Sequence, residues 1–281
     1  MSKKVAIITM DVEDWYHTYF PEDNVDRSYS LMDGLDVALD VMRKRGIKGS
    51  FFVVGEIAAS LSDTLKRMDS EGHDIACHNN EHIRPLSMDK EQFRSQLLKA
   101  KQEVERILGH AVLGYRAPSF AIDDERLSIV EDLGFKWDSS KLQPQKSTKY
   151  GYLALPGFTE VSPCIYSNKE GFMEFEVSTQ KIGSMNILLG GGYFRMLPWP
   201  FMKWMTKRYL RTGNPYIMYI HPIDLSHRRM PKVKVGGINK YLRTHIGRRH
   251  MLQRFNKVLD LLEKNGYSFV TIEQLRSEIN G

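Results

Sequence analysis

Cysteine is nearly absent. Cys77 and Cys164 are the two in 281 residues, too few for a disulfide framework or a Cys-based zinc centre. Long apolar runs are lacking too. The first, over residues 5–12, meets acidic residues too soon to serve as a signal h-region or a membrane span. A cytoplasmic protein is therefore expected. No strict repeat recurs, which excludes a solenoid. Gly190-Gly191-Gly192 is not followed by the Gly-Lys-Ser/Thr of a phosphate loop, so the stretch Gly190–Arg195 reads as a glycine-rich turn. No nucleic-acid module is recognisable, and no nucleic-acid partner is expected.

What is present is ordinary globular material: 42% hydrophobic and 26% charged residues, with a net charge of +6. The positive excess gathers late, between Lys203 and Arg254. Such a segment suits an anionic lipid surface or a phosphorylated small molecule, and equally a merely solvated face. Peripheral membrane contact through residues 203–254 is one expectation.

Strand and helix patterns alternate. Residues 5–12 (VAIITMDV), 50–54, 74–77, 112–116, 216–220 and 268–272 read as short buried strands. Helical patterns at 34–45, 56–71, 88–108, 123–133 and 198–211 separate them, several stopping at a glycine. The long helix carries Phe93, Leu97, Leu98, Val104 and Leu108 as its apolar stripe. The rhythm implies an α/β fold with a largely parallel sheet. It breaks around 141–200, which reads as a loop-rich insertion with an exposed strand at Met173–Ser178. Residues 225–247 read as basic loop. No linker divides the chain, so 1–281 is expected to form a single catalytic domain.

Polar clusters fall at strand ends. Asp11, Glu13 and Asp14 follow the first strand, and His78 and His82 the third. Arg116, Asp138 and His221 follow later ones. Ligands of parallel α/β sheets bind at the carboxyl ends of strands, so one shared site is expected. His78 and His82 stand at i and i+4, a spacing that puts two imidazoles on one face if the chain coils there. Two histidines and a carboxylate leave metal positions for water and substrate. A second carboxylate then suits a general base, and a separate histidine a general acid. That inventory fits metal-assisted hydrolysis of an amide.

The ordered motifs resemble those of the polysaccharide deacetylases of carbohydrate esterase family 4, the NodB-homology group. Asp11–Trp15 (DVEDW) resembles motif one, His78–His82 motif two, Arg116–Phe120 motif three, Trp137–Ser140 motif four and Ile220–Asp224 motif five. Gly190–Arg195 and Arg248-Arg249-His250 fit the branch with Asp-Val-Glu-Asp-Trp. The resemblance implies a distorted (β/α) barrel of about seven strands. By the same resemblance Asp11 is the base, His221 the acid and Arg116 the residue that orients the base. Asp138 then tunes the acid or orders the site. His78 and His82 resemble metal ligands. Val12 stands where the family's third ligand usually stands, so Glu13 or Asp14 must serve. Strand alternation favours Glu13, whereas Asp14, the shorter carboxylate beside Trp15, is preferred as ligand. Trp15, Pro118 and Tyr193, with Phe120, are candidates for lining a sugar groove.

The function so implied is removal of N-acetyl groups from an amino sugar of a glycan, or of a lipid- or nucleotide-linked glycan precursor, in surface polysaccharide biosynthesis. The expected cofactor is a divalent metal: Zn²⁺ first, with Co²⁺, Ni²⁺ or Fe²⁺ as alternatives. Two rivals stand beside this reading. One is a deformylase or allantoinase-like amidohydrolase on the same fold. The other is a non-catalytic sugar- or lipid-phosphate-binding module.

Overall fold

The computed structural model describes residues 3–20, 24–143, 151–233 and 237–281. The strands are β1 (Val5–Val12), β2 (Ser50–Val53), β3 (Asp74–Cys77), β4 (Gly114–Tyr115), β5 (Trp137–Asp138), β6 (Thr159–Ser162), β7 (Ile165–Ser167), β8 (Met173–Phe175), β9 (Thr179–Ile182), β10 (Met185–Leu188), β11 (Tyr216–Ile220) and β12 (Ser268–Phe269). Seven of them lie side by side and parallel in the order β11-β1-β2-β3-β4-β5-β8. Just past β8, Ser178 N donates to Ile217 O at 3.1 Å and Ser178 Oγ accepts from Ile217 N at 2.8 Å. The sheet thus curls until its two ends touch. The fold is the distorted α/β half-barrel expected, with seven parallel strands. β7 and β6 extend it antiparallel, β12 pairs β1, and β9 and β10 form a separate hairpin.

Alternation along β1 sorts the two layers. Ile7 points inward beside Phe52, Ala76, Trp137, Phe175 and Ile217. Ala6, Ile8, Met10 and Val12 point outward under the surrounding helices. Both faces are covered, so all eight β1 residues are buried, and a continuous apolar run is the natural sequence for such a strand. Inside, Gly114 leaves room for Trp137. A Cβ there would lie 2.1 Å from the indole, so only glycine fits.

The helix Lys90–Leu108 shows the outer layer's logic. Asp89 accepts from Gln92 N at 2.8 Å and Gln92 returns the contact to Asp89 N, a capping box. Gly109 ends the helix in the left-handed conformation. Phe93, Leu97, Ala100, Val104 and Ile107 are buried, each large one contributing about 1.5–3 kcal/mol of transfer free energy. Leu98, expected in the stripe, is exposed instead.

Several expectations are corrected. Residues 141–200 are not a loop-rich insertion: they supply β6–β10 and the helices Gly191–Met196 and Trp199–Leu210, although 144–150 lie outside the described residues. Met173–Phe175 is no exposed edge but a buried strand between β5 and β7. Gly190–Arg195 opens a short helix rather than a turn. Gly191, at φ +49°, lies where a Cβ would sit 2.4 Å from the Tyr219 ring. Within the predicted basic loop, Gly237–His245 is helical, while Lys234 lies outside the described residues. Among the described residues no helix is long and apolar enough to cross a membrane.

Candidate active site

The inward parity of β1 carries on past its end. Asp11 points into the barrel mouth with Ile7 and Thr9, and Glu13 follows on the same side. Glu13, His78 and His82 each place a ligand atom within 4.8 Å of the others, all buried. The preferred ligand Asp14 is corrected by its neighbours. Its Oδ1 accepts from Trp15 N at 2.8 Å and from Leu31 N at 2.9 Å, so the carboxylate caps the helix Trp15–Tyr19. His17 Nδ1 completes that cap by accepting from Asp14 N at 3.0 Å, while its Nε2 meets Glu56 at 2.7 Å.

His78 and His82 do not sit on a helix. The chain bends after β3, with Asn79 at φ +58°, and this bend rather than a helical turn sets the ring centroids 5.0 Å apart. His78 Nδ1 pairs with Arg116 O at 2.7 Å. A carbonyl only accepts, so Nδ1 carries the proton and Nε2 presents its lone pair to the cluster. His78 Nε2 has no hydrogen-bond partner and lies 3.8 Å from Glu13 Oε2. Glu13 Oε2 also presses against His82 Nε2 without hydrogen-bond geometry. Buried polar atoms without partners are costly, and two imidazoles with one carboxylate are a donor set for a divalent transition metal. The residues therefore fit the group that the motifs imply.

Charge supports that fit. Burial raises the pKa of Glu13, but the charge and close contact of His82, then the charges of His221 and His78, outweigh it and hold the carboxyl well below the usual carboxylate range. Burial lowers His78 to about 4 against the pull of Asp11 and Glu13, so the imidazole is neutral at physiological pH.

Arg116 is wholly buried just past β4. Its guanidinium donates to Asp11 Oδ1 and Thr9 Oγ1, both at 2.8 Å, and to Ser139 O and Ser139 Oγ, both at 2.9 Å. It also stacks on Phe52, 3.9 Å from the ring centre. The resulting buried pair fixes one Asp11 oxygen. The other, Oδ2, faces His221 Nε2 at 3.8 Å.

His221 follows β11 and caps the short helix Pro222–Leu225. Nε2 lies 3.6 Å from Glu13 Oε1, and Nδ1 lies 3.2 Å from Asp224 Oδ2. Burial would lower its pKa, but the hydrogen bond and charge of Asp224, then Glu13 and Asp11, raise it to about 9. Asp224 is in turn held by buried Arg195, whose Nε donates to Oδ1 at 2.8 Å. Asp224 carried no assigned role in the sequence reading, although its i+3 spacing from His221 lay in plain view.

Asp138 does not touch this acid. Its carboxyl accepts from Ser140 Oγ at 2.8 Å and Ser140 N at 3.0 Å. Ser140 Oγ accepts in turn from Ala117 N at 2.8 Å. Asp138 therefore ties down the loop after Arg116 and orders the site, while Asp224 occupies the tuning position. Beside it lies Glu174, also missed from sequence. Burial and the charge of Asp138 push Glu174 well above the usual carboxylate range, so the pair holds a proton.

The groove candidates divide. Trp15 is core: it packs on Tyr16 and Phe20, and its indole N–H donates to Tyr29 O at 2.8 Å. Pro118 is buried at the start of a single 3₁₀ turn and shapes the loop. Tyr193 is half-buried and lines a cleft with Leu142, Thr179, Asn186 and Leu188. It packs against the cluster of Phe120 and Tyr219, and Tyr219 meets His221 edge-on. Of the three, Tyr193 faces open space near the site.

A carboxylate held by arginine, a His-Glu-His ligand set and a carboxylate-backed histidine at the mouth of a curled α/β barrel define a class. Residues 3–137 match the family model described as polysaccharide deacetylase, and the chain belongs to that family, carbohydrate esterase family 4. Residues 140–276 match a domain of unknown function, DUF3473. The peptidoglycan-N-acetylglucosamine deacetylase of Bacillus cereus is 26% identical over 41% of this chain and 44% of its own length. The chain spans about half the length, or less, of the curated relatives it matches. Among solved structures, a polysaccharide deacetylase candidate from Mycobacterium smegmatis aligns over 100% of this chain and 91% of its own, with TM-score 0.65 and 16% identity. A family 4 acetyl xylan esterase from Clostridium thermocellum, solved with a cobalt ion, aligns over 98% and 91%, with TM-score 0.53 and 14% identity. At these identities the structural likeness is one of fold.

Proposed function

We propose that the chain is a metal-dependent N-deacetylase acting on an N-acetylated amino sugar of a glycan or glycan precursor. The observation that carries this reading is the opposition of Asp11 and His221 across the Glu13-His78-His82 cluster. Glu13, His78 and His82 would hold the metal, which when bound polarises the acetyl carbonyl and makes water easier to deprotonate. Asp11 Oδ2 takes the proton of the attacking water while Arg116 fixes Oδ1. His221, kept protonated by Asp224, gives its proton to the leaving amine. Proton transfers of this kind are each worth about 10²–10⁴-fold in rate.

The finer parts of the reading have narrower support. A role in surface polysaccharide biosynthesis, with a lipid- or nucleotide-linked precursor met in the cytoplasm, draws on the basic character of residues 203–254. The anionic inner leaflet of a membrane attracts such segments. Zn²⁺ is named first because two histidines and a carboxylate form a three-ligand set known from catalytic zinc sites, and Co²⁺, Ni²⁺ and Fe²⁺ suit the same imidazoles.

Metal analysis of the purified protein and acetate release from N-acetylated glycans, lipid-linked ones included, test the proposal. N-formyl compounds and ureides complete the panel. Release of acetate that is lost on chelation is expected. Turnover of formyl or ureide compounds alone would replace the reading with a deformylase or allantoinase-like one. No metal and no turnover would leave a binding module.

A further inference from the structure

Exposed apolar side chains are ordinary when scattered and informative when gathered. Among the described residues, four of the exposed large ones fall within nine positions: Ile238, Tyr241, Leu242 and Ile246, with Ile238 73% exposed. They lie on and just beyond the helix Gly237–His245, at i, i+3, i+4 and i+8, which is one face of a helix. Met196, also exposed, lines a shallow groove with Leu242 and Ile246 and extends the patch. The helix buries only Thr244.

The sequence that carries this helix is strongly cationic. Between Leu225 and Asp260 the sequence has no Asp or Glu, and it places Arg229, Lys232, Lys240, Arg243 and Arg249 around the patch. The Lys240 ammonium stands 4.9 Å above the Phe20 ring, beside this helix. An apolar helix face carried by a stretch of sequence rich in cations and free of Asp and Glu matches a bilayer interface. Acyl chains take the apolar face, and anionic headgroups take the lysines and arginines. A folded protein partner would more often need a mixed-charge rim.

We propose that the helix Gly237–His245 is an interfacial anchor that docks the enzyme on an anionic lipid bilayer. It rests on the membrane-proximal part of the functional reading above. The anchor is also joined to the site. Arg195 donates to Ile246 O at 2.9 Å and to Arg243 O at the end of the helix, while its Nε holds Asp224 behind His221. The lipid-facing element and the proton donor therefore share one buried arginine, which fixes the docked face relative to the catalytic mouth.

The test is co-sedimentation of the full chain with vesicles of phosphatidylcholine alone and of phosphatidylcholine mixed with phosphatidylglycerol. Binding to the anionic vesicles only is expected, weakening as salt rises. Ile238→Asp with Leu242→Asp, and separately Arg243→Glu with Arg249→Glu, should each lower that binding by about tenfold or more. All four side chains are exposed, so melting temperature should hold. Acetate release from soluble N-acetylglucosamine oligomers should be unchanged in the Ile238/Leu242 variant. Wild-type affinity in both double variants, or equal binding to neutral vesicles, overturns the proposal. So does a wild-type dimer that the Ile238/Leu242 variant dissolves while vesicles go unbound, because the patch is then a contact between copies. Failure of every form to release acetate would sink the functional reading instead and leave the vesicle result standing.

Discussion

Asp224→Asn is the most informative single change, because it alters one charge and keeps the shape. Asp224 Oδ2 lies 3.2 Å from His221 Nδ1. At an effective dielectric constant of about 20, two unit charges at that distance attract by roughly 5 kcal/mol. One pKa unit corresponds to about 1.4 kcal/mol, so the ceiling on the shift is roughly three to four units. Desolvation is recovered in part, and the amide oxygen still accepts a hydrogen bond. A fall of about one to three units is therefore expected, from the present value of about 9. His221 must be protonated to act, so activity is retained below its pKa and lost above it. The alkaline limb of kcat should move down by at least about one unit, with a loss of about 2–10²-fold at pH 8 and little change near pH 6. Acetate release against pH at saturating substrate measures the limb, and NMR titration of the His221 ring measures the pKa directly. The change also leaves Arg195 buried without its counter-charge, at a cost of about 3–5 kcal/mol in stability, so melting is recorded separately. A uniform loss at every pH, with an unmoved limb, would refute the argument and reduce Asp224 to a structural role.

Other expectations follow from the same contacts. Glu13→Ala should lower metal affinity by at least about 10²-fold, an estimate resting on the ligand count, whereas Asp14→Ala should keep the metal and cost about 1 kcal/mol of stability as a lost helix cap; equilibrium dialysis and thermal melts separate the two. For the chelated protein, His221 contributes most to stability below about pH 6.5 and loses that contribution as pH rises through about 9. Its melting temperature should fall across that window, and His221→Asn should flatten the fall. Glu174→Gln should leave stability unchanged or raised above pH 8, since the amide keeps the acceptor for Ser140 N and Lys141 N and needs no proton beside Asp138; urea titration at pH 6 and 9 checks this. Arg116→Lys should lower kcat by at least about tenfold with metal content intact, because one ammonium cannot span both Asp11 and Ser139.

The fold and the members of the site were largely legible. Runs such as VAIITMDV between helical patterns imply buried parallel strands, and the polar residues at their ends converge as topology requires. What failed was local. Asp14, the shorter carboxylate beside Trp15, looks the better ligand from sequence. Alternation in fact persists one residue beyond β1, which delivers Glu13 inward and frees Asp14 to cap the next helix. The helical spacing of His78 and His82 was read correctly as a pair and wrongly as a helix, since the left-handed Asn79 does the work of the turn. Of the two roles open to Asp138, tuning the acid falls to Asp224 instead, because sequence order does not say which of two carboxylates reaches an imidazole. The 141–200 segment read as loop because its strands are three or four residues long, too short for periodicity to show.

The seam between the two matched regions lies near residue 138, and the machinery is divided across it. Residues 3–137 carry Asp11, Glu13, His78, His82 and Arg116, while residues 140–276 carry His221, Asp224 and Arg195. β11 and β12, from the second region, both pair with β1, the outermost strand of the first. On the proposed reading, a fragment holding only the first region would have a base and a metal cradle but no proton donor, with β1 stripped of both β11 and β12. On that reading the two regions complement each other, and an exchange of the second for a foreign counterpart would have to restore a histidine at the same edge of the mouth for turnover to be seen.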